Sequence, residues 1–187
     1  MRFNIERYGL QKLAEHLTPA ELLDYLVSLG IPHKTFAHPP VYTVEEAKRL
    51  RGSIDGAHTK NLFLRNKKGR MFLVTCLENR TLDLKALSAR IGTRSLSFCK
   101  RERLDKYLGV IPGAVTPFAV VNDRNRAVTL ILDDALRVAT RLNFHPLDNA
   151  RTTSISPEGL LRFLEATDHP PQWVDLSSEY VGVPLEN

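Results

Sequence analysis

Two β-prone runs, residues 61–65 and 71–76, flank the polar stretch Asn66-Lys67-Lys68-Gly69, whose Asn and Gly suit a tight connection. The pattern predicts a hairpin with a basic tip. Period-two alternation from Lys60 sets that lysine on the face of Leu62 and Leu64, the face expected to turn inward, and sends Asn61 to the opposite one unless the strand bulges. An ammonium at the mouth of an apolar strand needs a partner or a task. Helices are marked by their starts. Thr18-Pro19-Ala20-Glu21 pairs a cap with proline at the first helical position and Glu three residues after the cap, predicting a helix to Leu29 that Gly30 ends. Thr43-Val44-Glu45-Glu46 opens a shorter one, after an extended stretch over 34–38 and the rigid Pro39-Pro40 pair.

Farther along, Asp83 caps a helix ending before Gly92, 95–99 is a short strand, and 100–108 is a helix stopped by Gly109. The runs 117–121 and 127–132 suggest a second hairpin around Asn122-Asp123-Arg124-Asn125, with a short helix over 133–139 behind it. Ser156-Pro157 opens the last helix, to about Ala166. Hairpins interspersed with short helices predict an α+β fold with a mixed, partly closed sheet and flanking helices, not a doubly wound parallel one. Neither a repeat nor a long linker divides the chain, so one domain over 1–187 is expected, with 1–17 as an N-terminal extension and 177–187 as a tail.

Composition narrows the classes. A chain of 187 residues, 43% hydrophobic and 25% charged, is ordinary for a globular domain with a sizeable core. No apolar run approaches the roughly 20 residues that span a bilayer, and residues 1–17 are broken by five charges, so neither membrane nor signal peptide is expected. Cys76 and Cys99 form no CxxC pair and are expected as buried thiols of a cytoplasmic protein. A net charge of +5 and a pI near 9.4 are compatible with a polyanionic partner. There is no Gly-rich nucleotide fingerprint, HExxH or Ser-His-Asp spacing, and His33 and His38 sit on an extended segment, so neither metal nor cofactor is implied.

Four segments remain: His38-Pro39-Pro40-Val41-Tyr42-Thr43, Thr59-Lys60-Asn61-Leu62-Phe63-Leu64, Gly109-Val110-Ile111-Pro112-Gly113 and Phe144-His145-Pro146-Leu147-Asp148-Asn149. Taken singly, Gly109 reads as a helix C-cap and His145 as a partly buried histidine. Pro112 fixes φ before Gly113, a step that allows backbone N–H groups to face a carbonyl oxygen. In this order and spacing the four resemble the YbaK/prolyl-tRNA-synthetase-insertion editing family. Gly109 to Phe118 carries its GxxPG motif, and the likeness covers residues 18–176. The FHPLDNARTTSIS stretch points to its free-standing Ala-tRNA(Pro) deacylases.

That resemblance implies a hydrolase acting on the acceptor end of tRNA(Pro) carrying alanine, with prolyl-tRNA synthetase as a candidate partner. It implies that Lys60 orients the aminoacyl-tRNA terminus and that the Gly113 loop forms the backbone wall of the active site. It places His145 at the aminoacyl pocket, with His38, Tyr42, Thr43, Asn61, Gly109, Pro112 and Phe144 around the substrate. Water would attack with help from the terminal ribose hydroxyl, which explains the lack of a side-chain nucleophile. Arg65, Lys67, Lys68 and Arg70 at the hairpin tip, and Lys100, Arg101, Arg103 and Lys106 on one short helix, offer cations to phosphates. The competing expectations are a deacylase for cysteine or serine and an inactive tRNA- or protein-binding module of the same fold.

Overall fold

The computed structural model describes residues 16–40 and 54–177. The helix expected from Thr43 lies outside them, as do Tyr42 and Thr43. Eight strands form one mixed sheet: β1 (His33–Ala37), β2 (Ala57–Arg65), β3 (Met71–Leu77), β4 (Ser97–Phe98), β5 (Val128–Asp133), β6 (Leu142–Phe144), β7 (Arg151–Ile155) and β8 (Gln172–Val174). Their order is β1-β7-β6-β2-β3-β5-β8, with β4 also on β2. The path ends at β1 and β8, so the sheet is open where partial closure was expected. β2–β3 is the hairpin read from the sequence, in continuous antiparallel register from Thr59↔Leu77 to Arg65↔Met71. β3 then pairs parallel with β5, and β5 with β8.

The caps worked as read. Thr18 and Glu21 form a capping box at α1 (Pro19–Ser28), Asp83 caps α2 (Leu84–Arg90), and Ser156 caps α4 (Pro157–Ala166). α3 (Arg101–Leu108) ends on Gly109 in the left-handed conformation. One expectation fails: residues 117–121 are not a strand. Pro117–Asn122 is a 3-10 helix, begun by the Thr116 hydroxyl accepting from the Phe118 N–H and by proline at its first position. Phe118, Ala119 and Val120 are all fully buried, so the run carries no alternation and its apolar character alone did not separate helix from strand. A second 3-10 helix, Asp134–Val138, follows β5.

The sheet buries both faces unequally. On one, Phe63, Leu73, Leu130 and Leu132 meet Leu22 and Leu26 of α1, Leu104 and Leu108 of α3, and Leu160 and Phe163 of α4. On the other, Leu64, Phe72, Val74, Cys76 and Ile131 form a smaller cluster with Leu87 of α2 and Leu176, edged by partly buried side chains such as Leu84, Ile91 and Leu96. At roughly 25 cal/mol per Å² of apolar surface, the three-helix face supplies most of the hydrophobic stabilisation and leaves the second face room for polar groups.

Polar ties close the larger core. Asn122 donates to the Leu108 carbonyl at 2.9 Å and accepts from the Leu17 N–H at 2.8 Å. Asp123, 3% exposed, accepts from the N–H groups of Val128 (2.7 Å) and Ala127 (3.1 Å) and faces His169 Nε2 at 3.3 Å. Burial pushes the Asp123 pKa up, but the hydrogen bonds from His169, Val128 and Ala127 outweigh it and hold the carboxyl below its ordinary range. Its stabilisation is therefore present above the unfolded value near pH 4 and is lost as pH falls through the lower folded value. We predict that Asp123→Asn is less stable at pH 7 by about 1.5–3 kcal/mol. Thermal melts from pH 7 to pH 3 should show the wild type losing more stability than the variant; parallel curves would contradict this.

Candidate active site

β2 runs along the sheet with a different neighbour at each end. Its first residues pair parallel with β6, Ala57↔Leu142 and His58↔Asn143. The Thr59 hydroxyl donates to the Asn143 carbonyl at 3.1 Å. Asn143 is 4% exposed; its Nδ2 donates to the Asp55 carbonyl at 3.0 Å, while its Oδ1 is a buried acceptor with no donor among the described residues. β6 delivers Phe144 and then His145 to the same end of the sheet.

His145 is partly buried and donates from Nδ1 to the Arg151 carbonyl at 2.8 Å. A carbonyl only accepts, so this bond sets the tautomer and leaves the Nε2 lone pair available. Its ring lies 6.0 Å from that of His38. His38 donates from Nδ1 to the Pro39 carbonyl at 2.8 Å, and Thr152 bridges its Nε2 at 3.0 Å. The pair, far apart in sequence, meets because β1 lies antiparallel on β7, with Phe36↔Thr152 in register. Burial pushes the His145 pKa down, the bond to Arg151 opposes it, and the nearby His38 adds to the lowering. The turn that carries His145 is constrained: Leu147 is 6% exposed with φ of 66°, and Asp148 accepts from the Ala150 N–H at 3.0 Å and pairs with Arg151 at 3.0 Å. A buried leucine in the left-handed region stores on the order of 1–3 kcal/mol.

Lys60 shares its strand face with Leu62 and Leu64, as the alternation predicts. Its ammonium donates to the Arg80 carbonyl. The Arg80 guanidinium in turn holds Asp133 at 2.8 Å, and Asp133 is fully buried and accepts from the Ala135 N–H at 3.2 Å. Cys76, opposite Lys60 in register, is buried; desolvation pushes its thiol up to about 12 despite the nearby lysine. Asn61 is on the other face, where it accepts from the Thr75 hydroxyl at 2.7 Å; the unbroken register leaves no bulge to turn it toward Lys60.

The 109–113 loop is anchored in the larger core through Val110 and Ala114. Gly109 has φ of 63°, and a β-carbon there would come within 2.4 Å of the His16 ring, so the position requires glycine. Ile111, Pro112 and Gly113 are exposed. The Ala114 N–H donates to the Ile111 carbonyl at 3.0 Å, and Gly113, at φ 90°, makes no hydrogen bond from its N–H among the described residues. Phe144, expected at the substrate, is 2% exposed and packs edge-on to Phe118 at 5.5 Å. That contact ties the 3-10 helix behind the loop to the strand carrying His145. Thr152, Arg80, Asp133 and Asn143 were not singled out from the sequence; nothing local marks them, since each acts through a partner distant along the chain.

A strand-borne lysine, paired imidazoles and a glycine turn, with no Ser or Cys nucleophile joined to them among the described residues, are mounted on a mixed sheet. The model of the aminoacyl-tRNA editing domain matches residues 38–163, and the chain belongs to that family. Among its relatives, the prolyl-tRNA synthetase associated domain-containing protein 1 of Danio rerio is 42% identical over 153 residues, covering 81% of this chain and 83% of that one. Prolyl-tRNA editing protein ProX of Acetoanaerobium sticklandii is 37% identical over 152 residues, covering 81% and 93%. The fold also matches the crystal structure of a proposed trans-editing enzyme for prolyl-tRNA synthetase, with TM-score 0.65, 22% identity and coverage of 87% and 99%. No helix among the described residues is long and apolar enough to cross a membrane.

The depressed pKa of His145 makes a direct prediction. In an NMR titration its imidazole should remain neutral below the ordinary histidine value of about 6.5. Replacing the neighbouring ring, His38→Gln, should move that midpoint upward. A midpoint at or above 6.5 in the wild type would show that burial does not govern this ring.

Proposed function

We propose that this protein hydrolyses alanine from mischarged Ala-tRNA(Pro) in trans. The observation that carries the reading is 37% identity through 93% of the length of a protein named for prolyl-tRNA editing, together with the neutral, acceptor-ready His145 at the end of β6. Alanine is smaller than proline, and a synthetase cannot strongly reject a smaller side chain by binding alone, so a second, tighter pocket is needed.

In the proposed reaction, water oxygen bonds to the ester carbonyl carbon, assisted by the vicinal hydroxyl of the terminal ribose. The bond to the ribose oxygen breaks, that oxygen takes a proton, and alanine and tRNA leave. Lys60 orients the tRNA terminus, exchanging its bond to the Arg80 carbonyl for the substrate. His145, with its lone pair on Nε2, accepts a hydrogen bond from the alanine ammonium or holds the water. The Gly113 N–H faces the carbonyl oxygen as negative charge develops. His38 positions the ring of His145, and Pro112 belongs to the surrounding wall. Arg65, Lys67, Lys68 and Arg70 meet tRNA phosphates.

The test is a panel of tRNA(Pro) charged with alanine, cysteine, serine or proline. Alanine should be released fastest and proline spared; faster release of cysteine or serine would reassign the specificity. Lys60→Ala should fold normally and lose most turnover. Gly113→Ala, strained at φ 90°, should lower turnover about 100- to 1,000-fold, the typical loss for one oxyanion donor. A correctly folded Gly113→Ala within about threefold of wild type would make the loop a plain turn.

A further inference from the structure

The end of β2 opposite the site is a pole of excess positive charge. Residues 65–70 and 93–106 hold nine Lys and Arg against two carboxylates, a surplus of seven beside a whole-chain charge of +5. The rest of the chain is therefore slightly acidic, and the basic pI is a property of this pole. The fold brings the two segments together. Arg65↔Ser97 and Leu64↔Phe98 are in register, the Cys99 N–H donates to the Phe63 carbonyl at 2.9 Å, and the Asn66 side chain donates to the Thr93 hydroxyl at 2.9 Å. Arg103 on α3 reaches the Met71 sulfur at 3.7 Å.

Lys67, Lys68 and Arg70 stand exposed on the tip. Arg94, Lys100 and Arg101 stand exposed beside it. Among the described residues none of these six forms an ion pair with a carboxylate. Phe98, opposite Leu64 in register on β4, is 60% exposed; of the described residues' exposed large apolar side chains it is the only ring. An aromatic face in solvent among unpaired cations is the composition of a nucleic-acid stacking site.

Distance selects which part of a nucleic acid fits. Lys60 and Arg65 are five residues apart on one strand, about 17 Å at about 3.3 Å per residue. At about 3.4 Å per stacked nucleotide, the roughly four unpaired nucleotides of a tRNA 3′ end span about 14 Å. We infer that this pole grips the junction where the single-stranded 3′ end leaves the acceptor stem, with Phe98 stacked on an unpaired base and the flanking cations on stem phosphates. The inference rests on the deacylase reading for the identity of the RNA and extends it to a second, base-stacking contact from β4 and α3, beyond the hairpin tip.

The experiment uses uncharged RNA hairpins, one with a four-nucleotide 3′ tail and one blunt, titrated against the whole protein over a range of salt concentrations. Phe98→Ala should weaken binding of the tailed hairpin about tenfold or more and leave its salt slope intact, with little effect on the blunt one. Phe98→Trp should restore the tailed affinity. Lys100→Glu with Arg101→Glu should weaken both hairpins and make the slope shallower by about two. If Phe98→Ala binds the tailed hairpin like the wild type, or weakens both hairpins equally, the stacking contact is overturned; an unchanged slope in the double variant removes the phosphate contact. Because these RNAs carry no amino acid, the outcome is separate from the deacylation panel, and either reading can fail alone.

Discussion

A single strand sets the geometry on which everything else depends. β2 is nine residues long and, among the described residues, is the only strand that pairs with three others: β6 at its start, β3 along its length and β4 at its end. Each partner brings a different chemistry. β6 brings the imidazole of His145, β3 brings the buried Cys76, and β4 brings the exposed ring of Phe98. A ladder with no bulge holds these in fixed register, so the chemical end and the basic end cannot drift independently. The larger core on the opposite face clamps the strand from behind.

The polar groups on the lighter face form a chain of dependence. Asp133 has no access to solvent and would be untenable alone; Arg80 and the Ala135 N–H satisfy it. With its side chain committed to that carboxylate, Arg80 has its backbone fixed, and its carbonyl then receives Lys60. The ammonium is thereby held at the strand edge without a carboxylate that would neutralise it among the described residues. A cation poised on a neutral acceptor can be handed to an anionic ligand at little cost, whereas one locked to a carboxylate could not.

Local physics was legible in the sequence, and long-range pairing was not. Thr18, Asp83 and Ser156 announced three helices because a cap and its partner are three residues apart. The β2–β3 hairpin was legible for the same reason, as was the face that Lys60 occupies. β6 and β8 are three residues each, too short for any period to show, and β7 is five residues of mostly buried Thr and Ser whose polarity resembles a loop. Residues 117–121 misled because a wholly buried apolar run carries no alternation. Of the site, the motif residues stood out, but the meeting of His38 with His145 depends on β1 lying against β7, and the Arg80–Asp133 pair joins side chains 53 positions apart. Phe144 sits within a motif, and its ring packs against Phe118 in the core, a contact with a residue distant along the chain.

The thiol opposite Lys60 carries one more implication. An aminoacyl ester is an activated acyl donor, and a thiolate is among the better nucleophiles a protein possesses. A cysteine at its ordinary pKa would be a few per cent ionised at neutral pH, enough to capture an acyl group as a thioester. Buried against Val74 and Ile131, with its pKa pushed up to about 12, Cys76 stays a neutral thiol at about pH 7. Burial thus acts as chemical insulation, keeping the sulfur opposite Lys60 from serving as an acyl acceptor.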